Sequence, residues 1–230
     1  MATASRNSRT RAVRGDAQRN RERILQTSRM VLSRNPCATM AMIAEKAGIG
    51  RVTLYGHFPS RKDLVTEVFA VHMREAEQLV TSIDPQQSPP EQIAHLIRTA
   101  WPLMAEVDSL IAAAEAELGT EHVHGEHGRI LEFVQGVIAA GIDDGSFRTT
   151  QSPTWLAQSF FALMHGTAAA GRARAGCDEI PEIPVSGQPW PGDSQRRGLE
   201  LPAETVANNL AETFLAALGH AATQPGSTAP

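Results

Sequence analysis

Between Thr39 and Phe58 two short helical stretches are separated by a glycine, and that arrangement narrows the possible folds more than any other feature. Thr39 is placed to cap the first stretch with its hydroxyl. Ile43, Ala44 and Ala47 form its inward face, and the small Ala44 permits close approach of a neighbouring helix. Gly48 supplies the left-handed backbone of a tight turn, and Ile49 plugs the space between the two helices. The second stretch, about Arg51 to His57, is too short to be stable alone in water. Its inward residues, Leu54 and Phe58, must therefore dock on the first helix and on the long helix behind. Arg51, Val52, Thr53, Tyr55, Gly56 and His57 are left for the outer face. Pro59-Ser60 caps the next element.

The flanking pattern is helical throughout. Ile24, Leu25, Ser28, Val31 and Leu32 recur at helical spacing, and Asn35-Pro36 ends that helix. From Arg61 to Ile83, Leu64, Val65, Val68, Phe69, His72, Met73, Ala76, Leu79, Val80 and Ile83 make one sustained stripe. Further helices are expected over 91–106, 108–118, 128–144, 153–175 and 203–218, with Trp101-Pro102 kinking or breaking the first of these. The 177–202 stretch, with five prolines, reads as a long irregular connection. No segment alternates like a strand. The predicted fold is all-α: an N-terminal three-helix domain holding the helix-turn-helix, then a larger helical domain. The boundaries are a flexible basic arm over 1–18, the small domain over 19–65, the large domain over 66–219 and a disordered tail over 220–230.

Charge separates along the same line. The net charge is -4, yet Met1–Lys62 holds 13 Lys/Arg against three acids, a local +10. The remainder holds 8 basic residues against 22 acids, a net of -14. Such segregation points to a polyanion-binding module carried by an acidic body. No run approaches the roughly 18 apolar residues that span a bilayer, and no secretory signal is legible, so no membrane partner is expected. Cys37 and Cys177 are isolated and fit no metal or redox spacing; a cytoplasmic, reducing setting is expected.

The block Arg23-Ile-Leu, Ile43-Ala-Glu-Lys-Ala-Gly-Ile and Thr53-Leu-Tyr-Gly-His-Phe-Pro-Ser-Arg-Lys-Asp-Leu64 resembles the DNA-binding domain of the TetR family of transcriptional regulators. The resemblance covers about Arg19 to Phe69. It implies a non-enzymatic repressor that binds a palindromic operator in double-stranded DNA as a homodimer, without a cofactor, and is released by a small-molecule ligand. Thr39, Tyr55 and His57 fall where the family contacts phosphates. Arg61 falls on the family's usual lysine contact at the start of the long helix, with Lys62 beside it. Arg51, Val52, Thr53 and Gly56 fall where bases are read. Gly50 replaces the usual Ser/Thr cap of the recognition helix, and Gly56 removes a side chain often used for contacts, which leaves more of the readout to Arg51. The arm carries Arg6, Arg9, Arg11 and Arg14, and an arginine arm can enter a narrow minor groove.

In the family the last two long helices form a four-helix dimer bundle, here 153–175 and 203–218. The family's ligand site lies inside the large domain, where Trp101, Met104, Phe133, Val137, Phe160, Met164 and His165 are candidate lining residues. The competing function class is a metal-binding sensor or a zinc enzyme using His122, His124 and His127, with Glu121 or Glu126 adding a carboxylate. It lacks a HExxH pattern or a second ligand cluster, and no metal site is assigned. No nucleophile elbow, P-loop or dinucleotide fingerprint appears.

Overall fold

A computed structural model describes residues 3–170 and 201–220, with side chains of the first helix from Gln18 onward. Among the described residues all regular structure is helical: α1 Thr3–Leu32, α2 Met40–Lys46, α3 Arg51–His57, α4 Arg61–Thr81, α5 Pro89–Leu118, α6 Thr120–Gly125, α7 Gly128–Asp143, α8 Pro153–Ala170 and α9 Ala203–Ala217. The all-α reading stands. The helical backbone of α1 also runs through the stretch expected to be a flexible arm, where Arg, Ala and Gln are good helix formers. The expected irregular connection lies outside the described residues up to residue 200, as does the tail from 221.

The chain divides into two compact units, one containing residues up to Val71 together with Ser109–Val123. In this unit α1 packs on α2 and α2 on α3. The apolar stripe of α1 behaves as its spacing demands: Ile24, Val31 and Leu32 are buried, and the buried Ser28 hydroxyl is satisfied by donating to the Ile24 carbonyl at 2.7 Å. Leu64, Val65, Val68 and Phe69 of α4 are buried as well. Cys37, read above as isolated, is disulfide-bonded, and Cys177 lies outside the described residues.

The second unit contains His72–Asp108 and the described residues from His124 onward. Its core gathers Ile93, Leu96, Ile97 and Trp101 of α5, Val134, Val137 and Ile138 of α7, Leu156 and Phe160 of α8, and Leu210 and Phe214 of α9. Phe160 and Phe214 meet edge to face at 5.2 Å, joining α8 to α9. The start of α5 is a capping box: Glu91 accepts from the Ser88 hydroxyl at 2.6 Å and from its amide at 2.9 Å. Those two bonds, the hydroxyl's first, hold the Glu91 carboxyl below its ordinary pKa.

Two helices separated at Trp101-Pro102 were expected, and the structure corrects this. α5 runs through Pro102 as one helix of 30 residues. An interior proline costs about 3 kcal/mol, because it removes one amide donor and crowds the carbonyl four residues back. On both sides of it the helix buries large side chains: Leu96, Ile97 and Trp101 before, Val107 and Leu110 after. At about 1.5–3 kcal/mol each, their burial outweighs the local penalty.

One glycine is required by packing. Phe147, 2% exposed, lies against Gly141 of α7, where a Cβ would fall inside its ring. Gly136, on the same helix, faces open space. Gly141→Ala should therefore cost about 1–3 kcal/mol through overpacking, while Gly136→Ala should be neutral or stabilise by up to about 1 kcal/mol through helix propensity. Thermal unfolding of the two variants beside the parent tests the opposite signs.

Candidate nucleic-acid interface

The geometry of the helix-turn-helix follows from its cap, its turn and two buried side chains. Thr39 is extended (φ -83°, ψ 161°), and its hydroxyl accepts from the Met42 amide, which starts α2. Gly48 closes α2 at φ +66°. Its amide donates to the Glu45 carbonyl at 3.0 Å, and the Ile49 amide reaches back to the Ala44 carbonyl at 3.0 Å. This is a Schellman closure, in which two carbonyls left over at the helix end are satisfied by the turn itself. Gly50 then begins α3 with no side-chain cap.

The orientation of α3 is set by burying Leu54 and Phe58 while Ile43 and Ala44 of α2 are buried beside them. The guanidinium of Arg21 on α1 lies 4.9 Å over the Phe58 ring and donates to Glu67 of α4 at 3.3 Å, so α1, α4 and the end of α3 are tied by one side chain. With that face committed, Arg51, Val52, Thr53, Tyr55 and Gly56 are exposed. Val52 is 88% exposed, a value an apolar side chain rarely has without a partner surface.

The remaining expected contacts differ in kind. Thr39 and Lys62 are exposed. His57 is half-buried, its Nε2 lying 3.5 Å from the Asn20 amide nitrogen. Asn20 also accepts from the exposed Arg23 at 2.7 Å. Asn20 and Arg23 were not singled out from the sequence. Their spacing shows that they share a face of α1, but only the tertiary fold brings that face beside His57. Arg61 is half-buried, and its guanidinium already serves partners within this unit: the Ala38 carbonyl at 3.0 Å, the Pro36 carbonyl at 2.5 Å and the Glu117 carboxylate. A phosphate contact by Arg61 would compete with those three acceptors. The side chain of Arg14 lies outside the described residues.

In the second unit Trp101, Val137, Phe160 and Met164 are buried in the core cluster, and Met104 and Phe133 are packed against it, half-buried. His165 stacks on Phe161 at 5.7 Å and meets the His127 ring edge-on at 5.4 Å. The histidines of the competing reading separate. His122 and His124 are exposed, whereas His127 is 6% exposed among Phe161 and His165. Among the described residues no three His, Cys, Asp or Glu side chains gather to hold a metal.

Residues 24–68 match the family of bacterial regulatory proteins, tetR family. The chain belongs to the TetR family. It is 33% identical over 76 residues to the HTH-type transcriptional repressor LfrR of Mycolicibacterium smegmatis, a match spanning 33% of this chain and 40% of that protein. Two solved structures share the fold over most of their length. A bacterial regulatory protein of the tetR family from Rhodococcus RHA1 superposes with a TM-score of 0.67 at 14% identity, over 88% of this chain and 98% of that one. The regulator FadR from Bacillus subtilis, in complex with stearoyl-CoA, gives a TM-score of 0.62 at 16% identity, over 84% and 97%. The TetR-type helix-turn-helix is thus placed by sequence, and the larger helical part by fold.

Arg51 is the one cation on the exposed face of α3. Arg51→Ala should cost about 1–3 kcal/mol on the preferred site and flatten discrimination at one base position per half-site. Selection of bound DNA from a random pool, run in parallel on parent and variant, measures both; an unchanged preference would remove Arg51 from base readout.

Proposed function

We propose that this TetR-family chain is a transcriptional repressor that binds a palindromic operator as a homodimer and is released by a small apolar molecule. The observation that carries the reading is the outer face of α3, which presents Arg51, Val52, Thr53 and Tyr55 to solvent while Leu54 and Phe58 hold the helix in place. A helix so exposed fits the major groove: the arginine fork reads guanine, and the valine can cover a thymine methyl. Thr39, His57 and Lys62 flank it as backbone contacts. The local charge of +10 supplies attraction to phosphates that is independent of sequence. Repression is also the role printed for the Mycolicibacterium relative.

One recognition helix makes few contacts, so two copies related by a two-fold axis are required for operator affinity. The outer face of α8 supports that pairing. Trp155, 62% exposed, is followed along the helix by exposed Gln158, Ala162 and Gly166, whose small side chains allow a partner helix to approach closely. Trp155→Glu should shift the protein toward monomer in sedimentation analysis and weaken operator binding, with the helical content retained. A dimer unaffected by the charge would move the interface away from this face.

The ligand reading rests on the second unit, whose apolar cluster includes Trp101, Phe160 and Met164 and carries the His127–Phe161–His165 rings at its edge. A similarly folded regulator holds an acyl-CoA. A ligand releases DNA only through its different affinity for the bound and free states, with a usual coupling of about 1–3 kcal/mol. Screening small apolar molecules for loss of operator binding tests this. Retention of activity by Phe160→Ala and Met164→Ala toward an effector found this way would place the ligand elsewhere.

A further inference from the structure

We propose that Arg61 acts as a clamp that presets the helix-turn-helix, and not as a phosphate ligand, and that Glu117 is the other half of the clamp. The inference deepens the operator-binding reading and rests on it for its DNA-based test. It starts from the turn between α1 and α2. The Asn35 amide bonds to the Val31 carbonyl at 2.8 Å, and the Ala38 amide to the Asn35 carbonyl at 3.1 Å. The Cys37 amide donates to the Asn35 side chain at 3.0 Å, and Pro36 has no amide to place. The Pro36 and Ala38 carbonyls accept from the Arg61 guanidinium. A single side chain from the first turn of α4 thus satisfies two main-chain acceptors in the turn that leads into the Thr39 cap.

Glu117 explains why the side chain stays there. It stands in the last turn of α5, where an acid is disfavoured by the helix dipole, and no basic residue in that turn offsets it. Its carboxylate accepts from Arg61, and both side chains are about three-quarters buried. Separating them would leave an acid without its cation at an unfavourable helix end. Together Pro36, Ala38 and Glu117 form a three-sided acceptor cage around the guanidinium.

The cage also accounts for the departure from the family's usual lysine at this position. A lysine presents one point charge, whereas the planar fork of arginine donates along several fixed directions at once. A phosphate contact requires only the charge; the cage requires the fork.

The test compares Arg61→Lys, Arg61→Gln, Glu117→Gln and the double Arg61→Gln/Glu117→Gln on a selected operator across salt concentrations. Arg61→Lys should weaken binding by about tenfold or more, the scale of charge-assisted hydrogen bonds. Glu117→Gln should weaken it too, and the double variant should be no weaker than Arg61→Gln. The dependence of log affinity on log salt should keep its slope throughout. Full binding by Arg61→Lys would overturn the proposal. So would a slope reduced by about 0.9 in Arg61→Gln, the signature of one lost phosphate contact, or tighter binding by Glu117→Gln, as expected if Arg61 were released to reach DNA. A DNA-independent arm keeps this test separate from the functional reading. The same four proteins form a thermal-unfolding cycle, in which non-additivity of Arg61→Gln and Glu117→Gln supports the clamp and additivity rejects it. A parent protein that selects no operator while the cycle shows coupling would count against operator binding and leave the clamp standing.

Discussion

Everything proposed for this protein depends on holding a seven-residue helix that cannot hold itself. α3 has no side-chain cap at Gly50 and is far below the length at which a helix persists alone. Its stability comes from two buried side chains, Leu54 and Phe58, each contributing about 1.5–3 kcal/mol. Because those two are three or four residues apart, they define one face. The opposite face is then free to carry residues chosen for what they touch outside the protein. That freedom is used in an unusual way: Val52 is almost wholly exposed, an arrangement that gains nothing from folding.

Arginines in this unit divide into two roles that charge counting cannot separate. Arg51 is exposed on α3, and Arg23 is exposed on α1 beside His57. Arg21 and Arg61 point inward, one over the Phe58 ring and the other into the Pro36–Ala38–Glu117 cage. The local positive balance is real, but only part of it faces outward. The rest organises the scaffold from which the outward part works. Long cationic side chains suit both tasks, because their stems pack while their heads reach polar groups.

The second unit is held together differently. Its core is built from α5, α7, α8 and α9 and tolerates a proline inside its longest helix because burial on either side of Pro102 exceeds the local penalty. Close fit decides its details, as at Gly141, where the Phe147 ring occupies the space of a side chain. Aromatic and histidine rings collect at its edge, and there the cluster changes from aliphatic to polarisable.

By itself the sequence determined the helix-turn-helix and its orientation. Thr39, Gly48, Leu54 and Phe58 act through local rules of capping, left-handed turns and helical spacing, which depend on near neighbours in the chain. The all-helical character and the bounds of most helices were legible for the same reason. Tertiary structure decided what depends on distant partners. The continuity of α5 through Pro102 reflects burial on both sides, and no local rule weighs that against a proline. The placement of Asn20 beside His57 joins residues 37 apart in sequence, and the pairing of Arg61 with Glu117 joins residues 56 apart. The three histidines at 122–127 show the same limit. Their spacing brought them together on paper, but the short α6 leaves two exposed and the third is buried among rings from another helix. Local sequence carries backbone geometry, whereas the partner of a charged or aromatic side chain is chosen by whichever surface the fold brings opposite it.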